Sequence, residues 1–351
     1  MAHVRWGVIG SGGIARRRTI PEGILAAGNA TLAGLFDANG EANRAAAEQF
    51  NAPAFGSMEA LLAADIDAVY VATPAYLHAG NVLQAARAGR HVLCEKPLGM
   101  STREARTMIA ACSGAGVTLG TAFMMRFTSQ HREAREMVRR GDLGTLAYGR
   151  AQLSCWYPPI PGAWRQDPRL GGGGSLIDMG GHCIDLLEMY FGDVTAVSCR
   201  TGRLVHDYPS EDSAVTLLEF AGGALATVDS YFCIPDNASR NVLEIYGSRG
   251  SILAEGTVGQ NAQGRMTAYL ADAAAGYDAA QVRQDGGGTV IAPVPVNPYK
   301  AEIEEFSQAI LEKRAPENSA RLGLRSQVVL AACYRSARSG RRIRIPAEQG
   351  E

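Results

Sequence analysis

Through the first third of the chain, short apolar runs alternate with Ala-rich stretches of helical character, and the first run opens straight into GVIGSGGIA. The apolar runs are 4–10, 31–37, 67–73, 91–96 and 117–123; the helical stretches between them are 14–27, 41–50, 57–64, 76–88 and 101–112. Strands that are apolar throughout must be covered on both faces, and the intervening helices supply the cover. The alternation therefore predicts a parallel sheet between two helical layers. In GVIGSGGIA, Gly10, Gly12 and Ala15 stand in G-x-G-x-x-A spacing between a strand and a helix. The glycines let the backbone turn tightly beside a pyrophosphate, and Gly13 and Ile14 open the helix N-terminus that carries it. The second run ends in Asp37, placed to accept from both ribose hydroxyls of NAD and to repel the 2′-phosphate of NADP. NAD is the expected cofactor, with NADP possible; a tight turn without a ligand is the competing reading.

Beyond residue 125 the pattern changes. A helix over 129–141 and a strand over 145–157 precede GGGGSLIDMGGHCIDL (171–186), and strands follow at 194–204, 213–220, 224–233, 241–247 and 251–255. Consecutive strands without long helices between them predict a large open sheet, antiparallel or mixed. Residues 256–298 read as loops and edge strands, and helices over 298–313 and 319–338 close the chain. The expected class is α/β, with a Rossmann domain over 1–123 and a substrate-binding and oligomerisation domain over 124–351. A chain of 351 residues is long enough for both cores. The formal net charge of -1 gives no footprint for nucleic acid or an anionic membrane. No apolar run reaches the roughly 18 residues of a membrane span. Seven scattered cysteines, never in C-x-x-C, fit a reducing cytoplasm better than a disulfide frame or a zinc site.

Two further stretches carry candidate chemistry. LCEKPLG (93–99) lies at the carboxyl end of a predicted parallel strand, where such sheets bind ligands. Lys96 there either reaches the cofactor and passes a proton, or pairs with Glu95 at the surface. GGGGSLIDMGGHCIDL admits three readings: a phosphate loop, a metal site of Asp178, His182 and Asp185, or acid–base chemistry.

The stretches GVIGSGGIA, VATPAYLHAGNVLQAARAGRHVLCEKPLG, WRQDPRLGGGGSLIDMGGHCIDL, LEIYGSRGSI and EIEEFSQAI run almost end to end. In them the chain resembles the glucose–fructose oxidoreductase / inositol dehydrogenase family, Gfo/Idh/MocA. The resemblance implies NAD(P)-dependent hydride transfer at a secondary alcohol or ketone carbon of a sugar, inositol or related polyol, by a homodimer or homotetramer. It implies Lys96, Asp178 and His182 as the catalytic group, and Thr73 and Pro74 as the loop beside the nicotinamide, with His78 their companion. It also implies Asp185 as a substrate-hydroxyl ligand or an orienter of the histidine.

Helical geometry bears on the same run. A helix starting near Ser175 has an S-x-x-D opening with Asp178, a weaker capping box. At about 100° per residue, His182 lies roughly 40° and Asp185 roughly 20° from Asp178, so the three share one narrow face. Histidine, with an unperturbed pKa near 6.5, suits removal of a hydroxyl proton, and Asp178 one turn earlier would hold its tautomer. Gly180 and Gly181 each cost roughly 1 kcal/mol inside a helix, which asks for a close backbone approach there. The phosphate reading loses ground to the turn at 10–15, and no metal is expected. Arg126, Tyr157, Trp164 and Arg165 are candidate substrate contacts, with core packing the plain alternative. Two rival functions stay open: an NAD-dependent glycoside hydrolase acting through transient oxidation, and a non-catalytic dinucleotide-binding sensor.

Overall fold

Strands β1 (Val4–Ile9), β2 (Ala30–Phe36), β3 (Ala68–Val71), β4 (His91–Glu95) and β5 (Leu119–Ala122) form a parallel sheet in the order β2-β1-β3-β4-β5. All four β3 residues are buried, as a strand covered on both faces requires. These coordinates come from a computed structural model describing residues 3–271, 279–280 and 287–346. One face of the sheet packs Val69 and Val71 against Leu61 and Met108. The other packs Trp6, Val8 and Tyr70 against Ile303 and Phe306, and the Trp6 indole N–H donates to Ser307 Oγ at 3.1 Å. By packing, helix Pro298–Glu312 therefore belongs to the N-terminal body although it comes late in the chain.

The second sheet contains β6 (Leu146–Ser154), β7 (Val194–Gly202), β8 (Ser213–Phe220), β9 (Leu225–Tyr231), β10 (Val242–Gly247), β11 (Gly250–Glu255), β12 (Arg265–Leu270), β13 (Thr289–Val290) and β14 (Ile343–Arg344). Among the described residues its order is β13-β12-β11-β10-β6-β9-β8-β7-β14. It is mixed, because β6 and β9 run parallel while the other pairs are antiparallel. Within the stretch read as loops and edge strands, β12 and β13 appear; residues 272–278 and 281–286 of it lie outside the described residues. Helices Gly181–Phe191 and Ala320–Ser339 cover one face with Ile184, Leu187, Leu330 and Cys333. On β8 and β9 the alternate residues Val215, Leu217 and Leu225 stay exposed on the open face.

In the first sheet, β1 is flanked by β2 on one side and β3 on the other, so the chain reverses direction of winding there. That reversal opens a crevice beyond the strand carboxyl ends. The second sheet's helix Gly181–Phe191 and the segment before it face this crevice.

Candidate active site

The crevice is a cavity of about 770 Å³ that runs from Gly10, Gly12, Gly13 and Ile14 past Asp37 to Lys96, Asp178 and His182. Gly10 has φ 89°, and a Cβ there would stand 2.8 Å from the Thr73 nitrogen, so only glycine fits. The Asp37 carboxylate accepts from the Gly12 N–H at 3.1 Å and the Asn39 N–H at 2.8 Å, which fixes it against the turn. Its remaining lone pairs are left for the cavity that it lines. A dinucleotide fits these residues: a turn with no room for Cβ, a helix N-terminus, and an oriented carboxylate along one elongated cavity.

Thr73 and Pro74 line the middle of the cavity, and Asn81 Nδ2 donates to Thr73 Oγ1 at 2.9 Å. His78 is buried between two loops, its ring nitrogens 2.9 Å from Pro97 O and 2.8 Å from Thr73 O. Burial holds its imidazole below the ordinary histidine range, with the two carbonyls opposing. Glu95 accepts from Tyr70 Oη at 2.6 Å; burial pushes its carboxyl up, and Lys96 opposes that.

At the inner end, Lys96 Nζ donates to Asp178 Oδ1 at 2.6 Å and to Asp178 O at 2.8 Å. Arg165 Nε lies 3.2 Å from the same Oδ1, and its guanidinium stacks 4.2 Å from the centre of the Trp164 ring. Burial alone would raise the Asp178 carboxyl; Lys96 and Arg165 outweigh it and hold the group well below the usual carboxylate range. His182 is edge-on to Phe123. Burial pushes its imidazole down to about 3, Lys96 adds to the effect, and Asp178 opposes it. Its Nδ1 is buried without a hydrogen-bond partner among the described residues. Tyr157, Trp164 and Arg165 line the same cavity, as expected of substrate contacts. Trp156 lies outside it, exposed and packed edge-on to His206.

Several expectations for the GGGG–helix segment are corrected. Ser175 does not cap: its Oγ donates to Ser230 O at 3.1 Å, and no side-chain cap bond forms. The first turn, Leu176–Gly180, is a π-helical turn in which the Gly181 N–H reaches back to Leu176 O. The extra residue rotates Asp178 off the α-helical projection. Asp178 accordingly bonds Lys96 and Arg165 instead of orienting His182. Asp185 does not line the cavity, and among the described residues its carboxylate makes no hydrogen bond to the histidine. It is buried on the inner side of helix Gly181–Phe191, where Arg126 Nε donates to both its oxygens at 2.8 and 2.7 Å and Arg126 Nη2 to its carbonyl at 3.1 Å. Arg126 is thereby turned away from the cavity too. Gly180 is tight against Leu176 and Ser230, so packing explains it, whereas Gly181 has ordinary room.

Sequence reasoning missed Glu211. This carboxylate accepts from the Gly174 and Leu176 N–H groups at 2.8 and 3.2 Å and from Tyr334 Oη at 2.8 Å, supplying the cap that Ser175 does not. A Cβ on Gly174 would overlap the Glu211 carbonyl, which accounts for a glycine in that run. Nothing local in the sequence announces an acid that caps a helix from the loop before β8. Asn241, Ser154 and Cys155, which also line the cavity, were missed as well.

Fold and site together define a nicotinamide-dinucleotide oxidoreductase. Residues 4–123 match the family described as "Oxidoreductase family, NAD-binding Rossmann fold", and 131–253 match the "GFO/IDH/MocA C-terminal domain". The chain belongs to the Gfo/Idh/MocA family. It is 30% identical to D-xylose 1-dehydrogenase (NADP(+)) 2 of Haloferax volcanii, over 97% of this chain and 99% of that one. It is 29% identical to 1,5-anhydro-D-fructose reductase of Ensifer adhaerens, over 97% and 98% of the two chains. Among solved structures it is similar to aldose-aldose oxidoreductase from Caulobacter crescentus complexed with glycerol, with TM-score 0.86 and 28% identity over 97% of this chain and 99% of that one. Among the described residues no helix is long and apolar enough to cross a membrane.

Proposed function

We propose that the chain interconverts a secondary alcohol and a ketone on a sugar or related polyol, with Lys96, Asp178 and His182 as its catalytic residues. The observation that carries this reading is one cavity with the dinucleotide turn at one end and the Lys96–Asp178 pair beside His182 at the other. A nicotinamide dinucleotide bound along Gly10–Ile14 supplies the two-electron acceptor or donor. Lys96 spends two of its three donors on Asp178, which leaves one N–H for the substrate oxygen. Asp178 holds that ammonium in place and balances its charge. His182 is neutral at physiological pH, and its Nε2, with no protein partner among the described residues, takes the alcohol proton in oxidation and returns it in reduction. Trp164 and Tyr157 offer aromatic faces to the sugar's C–H faces, and the Arg165 nitrogens not used by Asp178 offer donors to its oxygens.

NAD is the favoured cofactor, because the Asp37 carboxylate lines the cavity beside the glycine turn, where it would repel a 2′-phosphate. We divide the chain functionally at residue 123, with the late helix Pro298–Glu312 serving the cofactor body. The open apolar face with Val215, Leu217 and Leu225 is the proposed seat of a homodimer or homotetramer, to be checked by light scattering. Cytoplasmic residence fits free cysteines such as Cys94, Cys183 and Cys333.

The test is NADH formation across a panel of sugars, inositols and glycosides, repeated with Lys96→Met and His182→Ala. Each variant should bind NAD as the wild type does and lose about a hundred-fold or more in turnover. Near-normal turnover by either variant removes that residue from the catalytic group. Sugar release from glycosides without net NADH would replace the reading with a hydrolase.

A further inference from the structure

Asn241 stands at the entry to β10 with φ 47°, in the left-handed region that asparagine tolerates better than most residues. Its carboxamide orientation is decided by its neighbours. Oδ1 accepts from the Ser154 backbone N–H at 3.0 Å and from Ser239 Oγ at 2.8 Å, and Ser154 Oγ in turn lies 2.5 Å from Ser239 Oγ. A backbone N–H can only donate, so the atom facing it must be the oxygen and the amide cannot be flipped. The Nδ2 group is therefore on the other side, and among the described residues it has no acceptor. Asn241 lines the same cavity as Asp178, His182 and Arg165, and among the described residues its two N–H groups are donors left open. The left-handed backbone and the two inward bonds fix the group in place before any ligand arrives, which lowers the ordering cost of binding.

We propose that Asn241 is a specificity-determining residue that donates a hydrogen bond from Nδ2 to a hydroxyl or ring oxygen of a neutral sugar or polyol. The assignment rests on the oxidoreductase reading above. A rigid amide donor selects for an oxygen at one position and against the analogue lacking it, since an unfilled donor in a closed site loses its water without gaining a partner.

The experiment uses Asn241→Asp, which keeps Oδ1 and the left-handed backbone but removes both donors, and Asn241→Gly, which removes them without adding charge. Melting temperature and NAD affinity of each are measured alongside kcat/KM on the best wild-type substrate and its singly deoxygenated analogues. Both variants are expected to bind NAD as the wild type does. Both should lose about ten- to hundred-fold in kcat/KM on the full substrate, chiefly through KM, while no longer discriminating against one particular deoxy analogue. If the wild type oxidises sugars and both folded variants keep its KM and deoxy profile, the Asn241 assignment is wrong and the oxidoreductase reading stands. A weakened NAD affinity with unchanged sugar KM would place the donor on the cofactor and overturn the assignment equally. A wild type that binds NAD but oxidises no sugar or polyol overturns the functional reading and the assignment together.

Discussion

Replacing Arg126 by Met separates the two roles that this arginine could have. From the sequence it is a candidate substrate contact; in the structure it is the buried partner of Asp185. The Arg126 and Asp185 side chains are 14% and 4% exposed, and three charge-assisted donations join the two residues. Arg126→Met leaves a buried carboxylate on the helix Gly181–Phe191 with no cation, and removing one member of such a pair costs about 3–5 kcal/mol. The cost has a ceiling, because burial already pushes the Asp185 carboxyl up with Arg126 opposing, and without Arg126 the acid can take up a proton instead. The double substitution Arg126→Met/Asp185→Leu removes both charges and should recover about 2 kcal/mol or more of that loss. Urea unfolding of wild type, both single variants and the double variant measures the cycle. For the fraction that remains folded, sugar KM should stay within about two-fold of wild type, since neither side chain reaches the cavity. Unchanged stability together with a KM raised about ten-fold or more would refute the structural reading and return Arg126 to the substrate.

Two other outcomes follow from the site. The imidazoles of His131 and His182 are pushed down to about 4 and about 3, burial being the first cause of each. Their neutral forms are favoured by folding, so below the unfolded value near 6.5 the unfolded chain takes up protons that the fold refuses. Their contribution to stability should be flat above that pH and fall by up to about 2.7 kcal/mol per pH unit between 6 and 4, so a His131→Gln/His182→Gln variant should lose less stability than the wild type from pH 7 to 5; an equal shift of the urea midpoint in both would contradict this. Asp37→Ser should raise the NAD Michaelis constant about ten-fold and narrow the preference over NADP, read from steady-state kinetics with each cofactor; an unchanged ratio would remove Asp37 from cofactor selection.

The cofactor half was legible because its signals are local. A glycine turn, the strand before it and the helix after it are contiguous, and the structure adds that Gly10 is demanded by a backbone contact with the turn after β3. The class of the second sheet was legible from the lack of helices between its strands, but not the parallel β6–β9 pair, which joins segments far apart in the chain. For the reactive helix, projection at α-helical spacing grouped Asp178, His182 and Asp185 on one face. The structure keeps Asp178 and His182 on the cavity but not Asp185, and the π-helical turn that interrupts the projection is set by what packs around it: Ser230 beside Gly180, and Glu211 capping from β8's approach.

The sequence by itself determined which residue types were present at the crevice: the glycine turn, the acid after β2, Lys96 after β4, and Asp178 and His182 on a late helix. Periodicity and spacing suffice for that, because they report local backbone geometry. Only the tertiary structure decided the pairing of charges. Asp178 went to Lys96 and Arg165 and Asp185 to Arg126, because each buried charge settles on the nearest opposite charge that folding brings up, and sequence distance carries no information about that.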